Sequence, residues 1–166
     1  AGRSLKPDQL QAEIKGVRAR TDRPFGVNLI LLHPQLDELI GLCLDEGVSH
    51  VVLAGGVPTG GMIQRIKDGG ARIIAFASTV AIARRLVRHG VDALVIEGSE
   101  AGGHIGPVAT NVLAQEILPA VREVPVFVAG GIGRGEAIAL YLLMGAAGCQ
   151  LGTRFVCARE CIAPPD

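Results

Sequence analysis

The sequence predicts an α/β fold built on a parallel sheet and, within that class, a (β/α)8 TIM barrel present in part. Three observations predict it. Short apolar runs alternate with amphipathic runs along the 166 residues, in the order helix, then strand–helix six times over. The strand runs, such as Ala93 to Ile96, are continuously apolar, as expected of strands covered on both faces. Glycine-rich turns follow the later strands, at Gly130-Gly131-Ile132-Gly133 and at Gly152-Thr153, where barrels place phosphate sites. A doubly wound dinucleotide fold would instead want its G-x-G-x-x-G turn after an early strand. A whole barrel needs about 250 residues. The expectation is therefore a fragment lacking the first one or two strands and the C-terminal region, forming a single domain over residues 1–166.

The elements follow in order. Ser4 to Pro7 starts a helix that carries Leu10, Ile14 and Val17 at helical spacing, and Asp22-Arg23-Pro24 stops it. Phe25 to Leu32 is the first strand. Leu36, Leu39, Ile40, Leu42 and Cys43 mark a helix closed by Gly47. Val48 to Ala54 is the second strand, Pro58 to Lys67 a short helix, and Ala71 to Ala77 the third strand. Ser78-Thr79 offers an N-cap to a helix over Val80 to His89, ended by Gly90. The fourth strand is Val91 to Ile96, followed after a long loop by a helix over Asn111 to Val121. Val124 to Ala129 is the fifth strand and Gly135 to Leu143 its helix. Gly148 to Leu151 is the sixth strand, with a last helix beginning at Val156 to Cys161.

Composition narrows the function. Formal net charge is zero and aromatic residues make up 3%, with no Trp. A neutral balance without stacking residues argues against nucleic acid and against an anionic membrane surface. The longest apolar stretch, Ala137 to Cys149, is too short to span a bilayer. Cys43, Cys149, Cys157 and Cys161 form no C-x-x-C pair and no zinc spacing with histidine, so no metal site is expected. They read as reduced thiols. With the polar N-terminal residues, that gives a soluble, cytoplasmic protein as the expectation.

Three loops at strand ends carry chemical readings. The loop Glu97 to Pro107 contains four glycines, two carboxylates and His104. It is either a substrate-facing loop with His104 as acid, base or hydrogen-bond donor, or a glycine-rich connection with an exposed histidine. The Gly130-Gly131-Ile132-Gly133 turn precedes a helix, where backbone amides bind phosphate; tight strand–helix packing is the alternative. Gly152-Thr153 offers two amides and a hydroxyl, or a Thr N-cap. Adjacent in chain order, these last two loops are expected side by side as a phosphate cup. Asn28, inside the apolar run Gly26 to Ile30, is expected to be buried and so to need a partner, either a ligand or neighbouring backbone. His50 and His89 read as structural, and His33 as lining either a site or a turn. Ser99 is not in a G-x-S-x-G elbow, since Ala101 follows it where the elbow has glycine, so a serine hydrolase is poorly supported.

The segments Glu97 to Gly106 (EGSEAGGHIG), Phe127 to Ile132 (FVAGGI) and Gln150 to Phe155 (QLGTRF), in that order and spacing, resemble the nitronate monooxygenase (2-nitropropane dioxygenase) family. The related FMN-dependent enoyl-acyl-carrier-protein reductases share these motifs. Pro24 to Asn28 (PFGVN) resembles a further strand of that family. The resemblance implies an FMN-binding barrel. In it Gly130, Gly131, Gly152 and Thr153 hold the flavin phosphate. Asn28 contacts the flavin side of the pocket, and Glu97, Ala101, Gly102 and Gly103 line its ribityl chain and ring. His104 matches the active-site histidine. The implied activity is oxidation of alkyl nitronates with O2. The alternatives are reduction of an enoyl thioester, with NAD(P)H as candidate electron donor, and a non-catalytic phosphate-binding remnant. The implied partner is a small-molecule substrate, with a homodimer as candidate assembly.

Overall fold

The computed structural model describes residues 5–102 and 106–161. Ser4 of the expected first helix start, together with Gly103 and His104, lies outside the described residues. Contacts group the chain into two compact units: residues 1–76 with 84–93, and residues 77–83 with 94–166.

The first unit begins with α1 (Pro7–Arg18), which buries Leu10 and Ile14. Then come β1 (Gly26–Ile30), α2 (Leu36–Asp45), β2 (His50–Ala54), α3 (Gly60–Asp68) and β3 (Arg72–Ala77, of which Ala77 falls in the second unit). β1 pairs in parallel with β2, and β2 with β3, with Val51 opposite both Val27 and Ile73. The core gathers Ile40, Cys43, Val51, Leu53, Ile63, Ile66, Ile73 and Leu86, each fully buried. The Ile73 amide donates to the Asp92 carboxylate at 2.8 Å, and the Asp92 amide donates to the Ile73 carbonyl at 2.9 Å.

α4 (Val80–Arg88) runs from the second unit into the first. Thr79 caps it as expected, its Oγ1 accepting from the Ile82 amide at 3.1 Å. The second unit continues with β4 (Ala93–Glu97, of which Ala93 falls in the first unit), α5 (Thr110–Ala120), β5 (Val126–Ala129), α6 (Gly135–Leu143), β6 (Gly148–Gln150) and α7 (Thr153–Val156). β4 pairs in parallel with β5, and β5 with β6, so Glu97, Ala129 and Gln150 stand in register at the strand ends. Leu94, Ile96, Ala114, Ile117 and Val128 are fully buried.

Helices α2, α3, α4 and α6 end in the same way. A glycine with positive φ (Gly47, Gly70, Gly90 or Gly145) follows the C-cap residue, and the next residue (Val48, Ala71, Val91 or Ala146) is buried. In each, the glycine amide donates three residues back and its successor donates five back, as in Val48 to Cys43 at 2.8 Å and Ala146 to Tyr141 at 3.0 Å. This is the Schellman closure, with its accompanying apolar anchor. Only a residue without Cβ takes this conformation cheaply.

Two expectations need correction. Continuous burial holds for β4, where Ala93 to Ile96 are all buried, but not for β2 and β3. There Val51, Leu53, Ile73 and Ala75 are buried while Val52, Ile74 and Phe76 are half-buried. An apolar side chain in a strand does not by itself say that something covers it. The last helix is α7, three residues earlier than the expected Val156 start, because Gly152 already serves as its N-cap and accepts from the Phe155 amide at 2.9 Å. Among the described residues all four cysteines are free, and no helix is long and apolar enough to cross a membrane.

Candidate functional site

The loops after β4, β5 and β6 leave the same strand ends of the second unit. The first is shaped at its neck. Gly98 is buried against the returning chain. A Cβ there would lie 2.5 Å from the Thr110 nitrogen and 2.8 Å from the Ala109 carbonyl carbon, so only glycine fits. The Gly98 amide donates to Thr110 Oγ1 at 3.1 Å, and the Ser99 amide to the Val108 carbonyl at 2.9 Å. Thr110 is a buried polar residue, 1% exposed. Its amide and its hydroxyl donate to Glu100 Oε2 at 2.9 and 2.8 Å.

Ala109, the N-cap of α5, has no side chain that can cap. Glu100 replaces it from nine residues upstream, with its negative charge at the positive end of the helix. Those bonds from the Thr110 amide, then from its hydroxyl, hold the exposed Glu100 carboxyl below its ordinary range. Burial has the opposite effect on Glu97, at the end of β4, and pushes its carboxyl up. Neither Glu100 nor Thr110 was among the candidate site residues from sequence. The available signal was a lone carboxylate ten residues before a helix start that lacks a capping side chain.

After β5, Gly130 and Gly131 take φ of +94° and +68° in succession. The conformation needs glycine, and so does the space. A Cβ at Gly130 would sit 3.2 Å from the Glu100 carbonyl carbon, and one at Gly131 would sit 3.1 Å from Glu100 Cβ. The turn packs tightly, against Glu100 of the preceding loop and not strand on helix. Successive amides in such a turn also form an anion-binding concavity. Among the described residues nothing lies within 4 Å of where a Cβ on Gly152 would be, and a Cβ at Gly102 would be 3.8 Å from Thr153 Oγ1. Thr153 is the first residue of α7 and not its cap.

The structure thus brings together Glu97, Ala101, Gly102, Gly130, Gly131, Gly152 and Thr153 within one unit. The amides of Gly130, Gly131, Gly152 and Thr153 find no main-chain acceptor among the described residues. The Glu100 carboxylate is engaged by Thr110 and Ser99. Open amides on side-chain-free backbone fit the phosphate end of FMN. Gly103 and His104, which belong to this loop by sequence, lie outside the described residues.

Asn28 belongs to the first unit, in the middle of β1 opposite Val52. It is exposed rather than buried, so it has no need of an internal partner. Among the described residues no group of three His, Cys, Asp or Glu side chains could hold a metal ion.

Known proteins can be compared with this geometry. The nitronate monooxygenase family model matches residues 35–165. The chain is 37% identical over 166 residues to the (3aS,4S,5R,7aS)-5-hydroxy-7a-methyl-1-oxo-octahydro-1H-indene-4-carboxyl-CoA dehydrogenase of Mycobacterium tuberculosis, a match covering 99% of this chain and 46% of that protein. It is 29% identical over 208 residues to the nitronate monooxygenase of Paraburkholderia phytofirmans, covering 95% of this chain and 56% of the relative. Among solved structures, FabK from Thermotoga maritima superposes with a TM-score of 0.93 at 40% identity, over 98% of this chain and 52% of that one. Nitroalkane oxidase from Streptomyces ansochromogenes superposes with a TM-score of 0.87 at 31% identity, over 96% and 58%. The chain spans about half the length of the curated relatives it matches. Its fold is that of a partial (β/α)8 barrel, as the sequence predicts.

Proposed function

The chain belongs to the nitronate monooxygenase family, and on that premise we propose that it is an FMN-dependent oxidoreductase that oxidises alkyl nitronates with O2. The observation that carries this reading is the pair of donor-rich turns, Gly130-Gly131 and Gly152-Thr153, at the ends of two hydrogen-bonded strands. Their amides would hold the FMN phosphate without a basic side chain, as oriented backbone does elsewhere. Glu97, Ala101, Gly102 and Gly103 would line the ribityl chain and ring. His104 would face the substrate as a base or orienting hydrogen-bond donor. When bound, FMN supplies the redox chemistry, and the chain supplies position and electrostatics.

A second reading is reduction of an enoyl thioester by NAD(P)H at the same flavin. It is favoured by the 37% identity to a dehydrogenase whose name specifies a carboxyl-CoA thioester. Assays on the intact protein separate the two. O2 uptake with an alkyl nitronate supports the first. NAD(P)H oxidation with a crotonyl thioester, and no O2 uptake with a nitronate, overturns it in favour of the second. A colourless protein that takes up no added FMN refutes both and leaves a phosphate-ligand-binding barrel without catalysis.

Two variants test the assigned roles. His104→Ala should retain FMN and lower turnover by roughly 10²-fold, the scale of a general acid or base; unchanged turnover removes His104 from the chemistry. Gly131→Val places a β-branched residue at φ +68° beside Glu100. It should weaken FMN retention about tenfold or more, since the left-handed conformation alone costs roughly 1–2 kcal/mol. Retention at the wild-type level removes this turn from the phosphate site.

A further inference from the structure

We propose that Glu100 and Thr110 form a latch that couples the neck formed by residues 98–100 and 108–110 to the diglycine turn, so that seating FMN also holds that neck in place. The proposal rests on the FMN reading above. It makes Glu100 a positioning residue, one that acts through the groups it holds.

The two halves of the latch belong to one side chain. At its tip, Oε2 accepts from the Thr110 amide at 2.9 Å and from the Thr110 hydroxyl at 2.8 Å. At its base, Cβ and Cγ lie where a Cβ on Gly131 would approach to 3.1 and 3.3 Å, and the Glu100 carbonyl carbon stands against Gly130 in the same way. Movement of the diglycine turn is therefore movement of Glu100. Thr110 carries the constraint onward. Its Oγ1 accepts from the Gly98 amide at 3.1 Å, and Ser99 closes the same neck by donating to Val108 at 2.9 Å. Residues 98–100 and 108–110 are thus stitched together by four hydrogen bonds, three of which end on Thr110.

The chemistry of the latch is specific. Thr110 Oγ1 has one proton, given to the carboxylate, and a lone pair, given to Gly98. Replacing Thr110 by Val keeps the shape but leaves the Gly98 amide buried without its acceptor. Glutamine at position 100 can still accept both Thr110 donors through its amide oxygen. Alanine there can accept neither and also uncovers Gly131.

The test uses the intact protein and its Glu100→Ala, Glu100→Gln, Thr110→Val and Glu100→Ala/Thr110→Val variants. FMN affinity is read by quenching of flavin fluorescence. Hydrogen exchange of the Gly98, Ser99 and Thr110 amides is read with and without FMN. Glu100→Ala and Thr110→Val should each weaken FMN about tenfold, the upper range for hydrogen bonds to a charged group being larger still. The double variant should lose no more than either single, as expected of one coupled unit. Glu100→Gln should stay within about twofold of wild type. FMN should slow exchange of the neck amides in wild type and in Glu100→Gln but not in Glu100→Ala. Since Glu100 is exposed, its truncation leaves no buried cavity, and the variants remain comparable as folded proteins. FMN bound by wild type with affinity and neck exchange unchanged in Glu100→Ala overturns the latch alone. So does a double variant weakened about hundredfold, because it shows two independent effects. Failure of wild type itself to bind FMN overturns the cofactor reading, and the latch falls with it as a coupling device.

Discussion

Gly98→Ala isolates the packing at the exit of β4. The added methyl would lie 2.5 Å from the Thr110 nitrogen and 2.8 Å from the Ala109 carbonyl carbon, with the Val108 carbonyl oxygen closer still. All three are main-chain atoms, so no rotamer change relieves the contact. Overpacking costs typically about 1–3 kcal/mol, and this case belongs at the top of that range. Pushing residues 108–110 away also strains the Ser99–Val108 and Gly98–Thr110 bonds, each worth about 1 kcal/mol net. The expected loss is therefore about 3–5 kcal/mol, a large share of the usual stability of a domain. Urea denaturation of the apo-protein is the assay, since a bound ligand would stabilise wild type by mass action and inflate the difference. Gly102→Ala is the internal control. It lies in the same loop, and its nearest neighbour would be Thr153 Oγ1 at an ordinary 3.8 Å. It should unfold within about 0.5 kcal/mol of wild type, as a substitution without a structural conflict does. If Gly98→Ala matches that control, the neck is not packed as described, and the positioning argument built on Thr110 fails with it.

Two further predictions address titration and reactivity. Burial pushes the Cys43 thiol up to about 11, while Cys157 is exposed. Iodoacetamide mapping of the folded protein should therefore label Cys157 and spare Cys43 until denaturant is added; labelling of Cys43 in native buffer would contradict its place in the core. The two carboxylates act with opposite sign. Glu100 is held below its ordinary 4.5, so the unfolded chain binds more protons and its stabilisation is present above that value and lost as pH falls through the folded pKa. Glu97 is raised above 4.5, so it favours the folded state in acid and loses that contribution as pH rises through its folded pKa. Glu97→Gln should accordingly stabilise the apo-protein at neutral pH and not in acid; denaturation curves at the two pH values, with equal differences at both, would count against its burial.

The order of elements was legible because the punctuation is local. Gly47, Gly90 and Gly145 announce helix ends by a φ that other residues avoid, and Thr79 announces a helix start with its own hydroxyl. Strand ends were less legible: the run Phe25 to Leu32 contains a strand only from Gly26 to Ile30, since an apolar residue extends a run whether or not the ladder continues. The candidate turns at Gly130, Gly131 and Gly152 stand out in the sequence because glycine clusters there after short apolar runs. The site was illegible where it depends on partners distant in sequence. Nothing local to Glu100 says that its carboxylate caps a helix ten residues on, and nothing in Gly26 to Ile30 says that Asn28 is exposed. Thr110 was read as the residue before a helix, although it is the first residue within it and a buried polar centre of the neck.

The four Schellman closures have a consequence for how the chain assembles. Each is complete within six residues of sequence, from the helix carbonyl it satisfies to the buried residue that opens the next strand segment. Such contacts carry little loop-closure entropy and contribute almost nothing to contact order. A ribosome delivering this chain would therefore release four helix-to-strand corners, after α2, α3, α4 and α6, that seal as they emerge. The opposite strand ends close differently. The neck at Gly98 waits for Thr110, and the diglycine turn waits for Glu100 some thirty residues behind it. The corners set the scaffold early, and the neck at Gly98 and the turn at Gly130-Gly131 take their final form later.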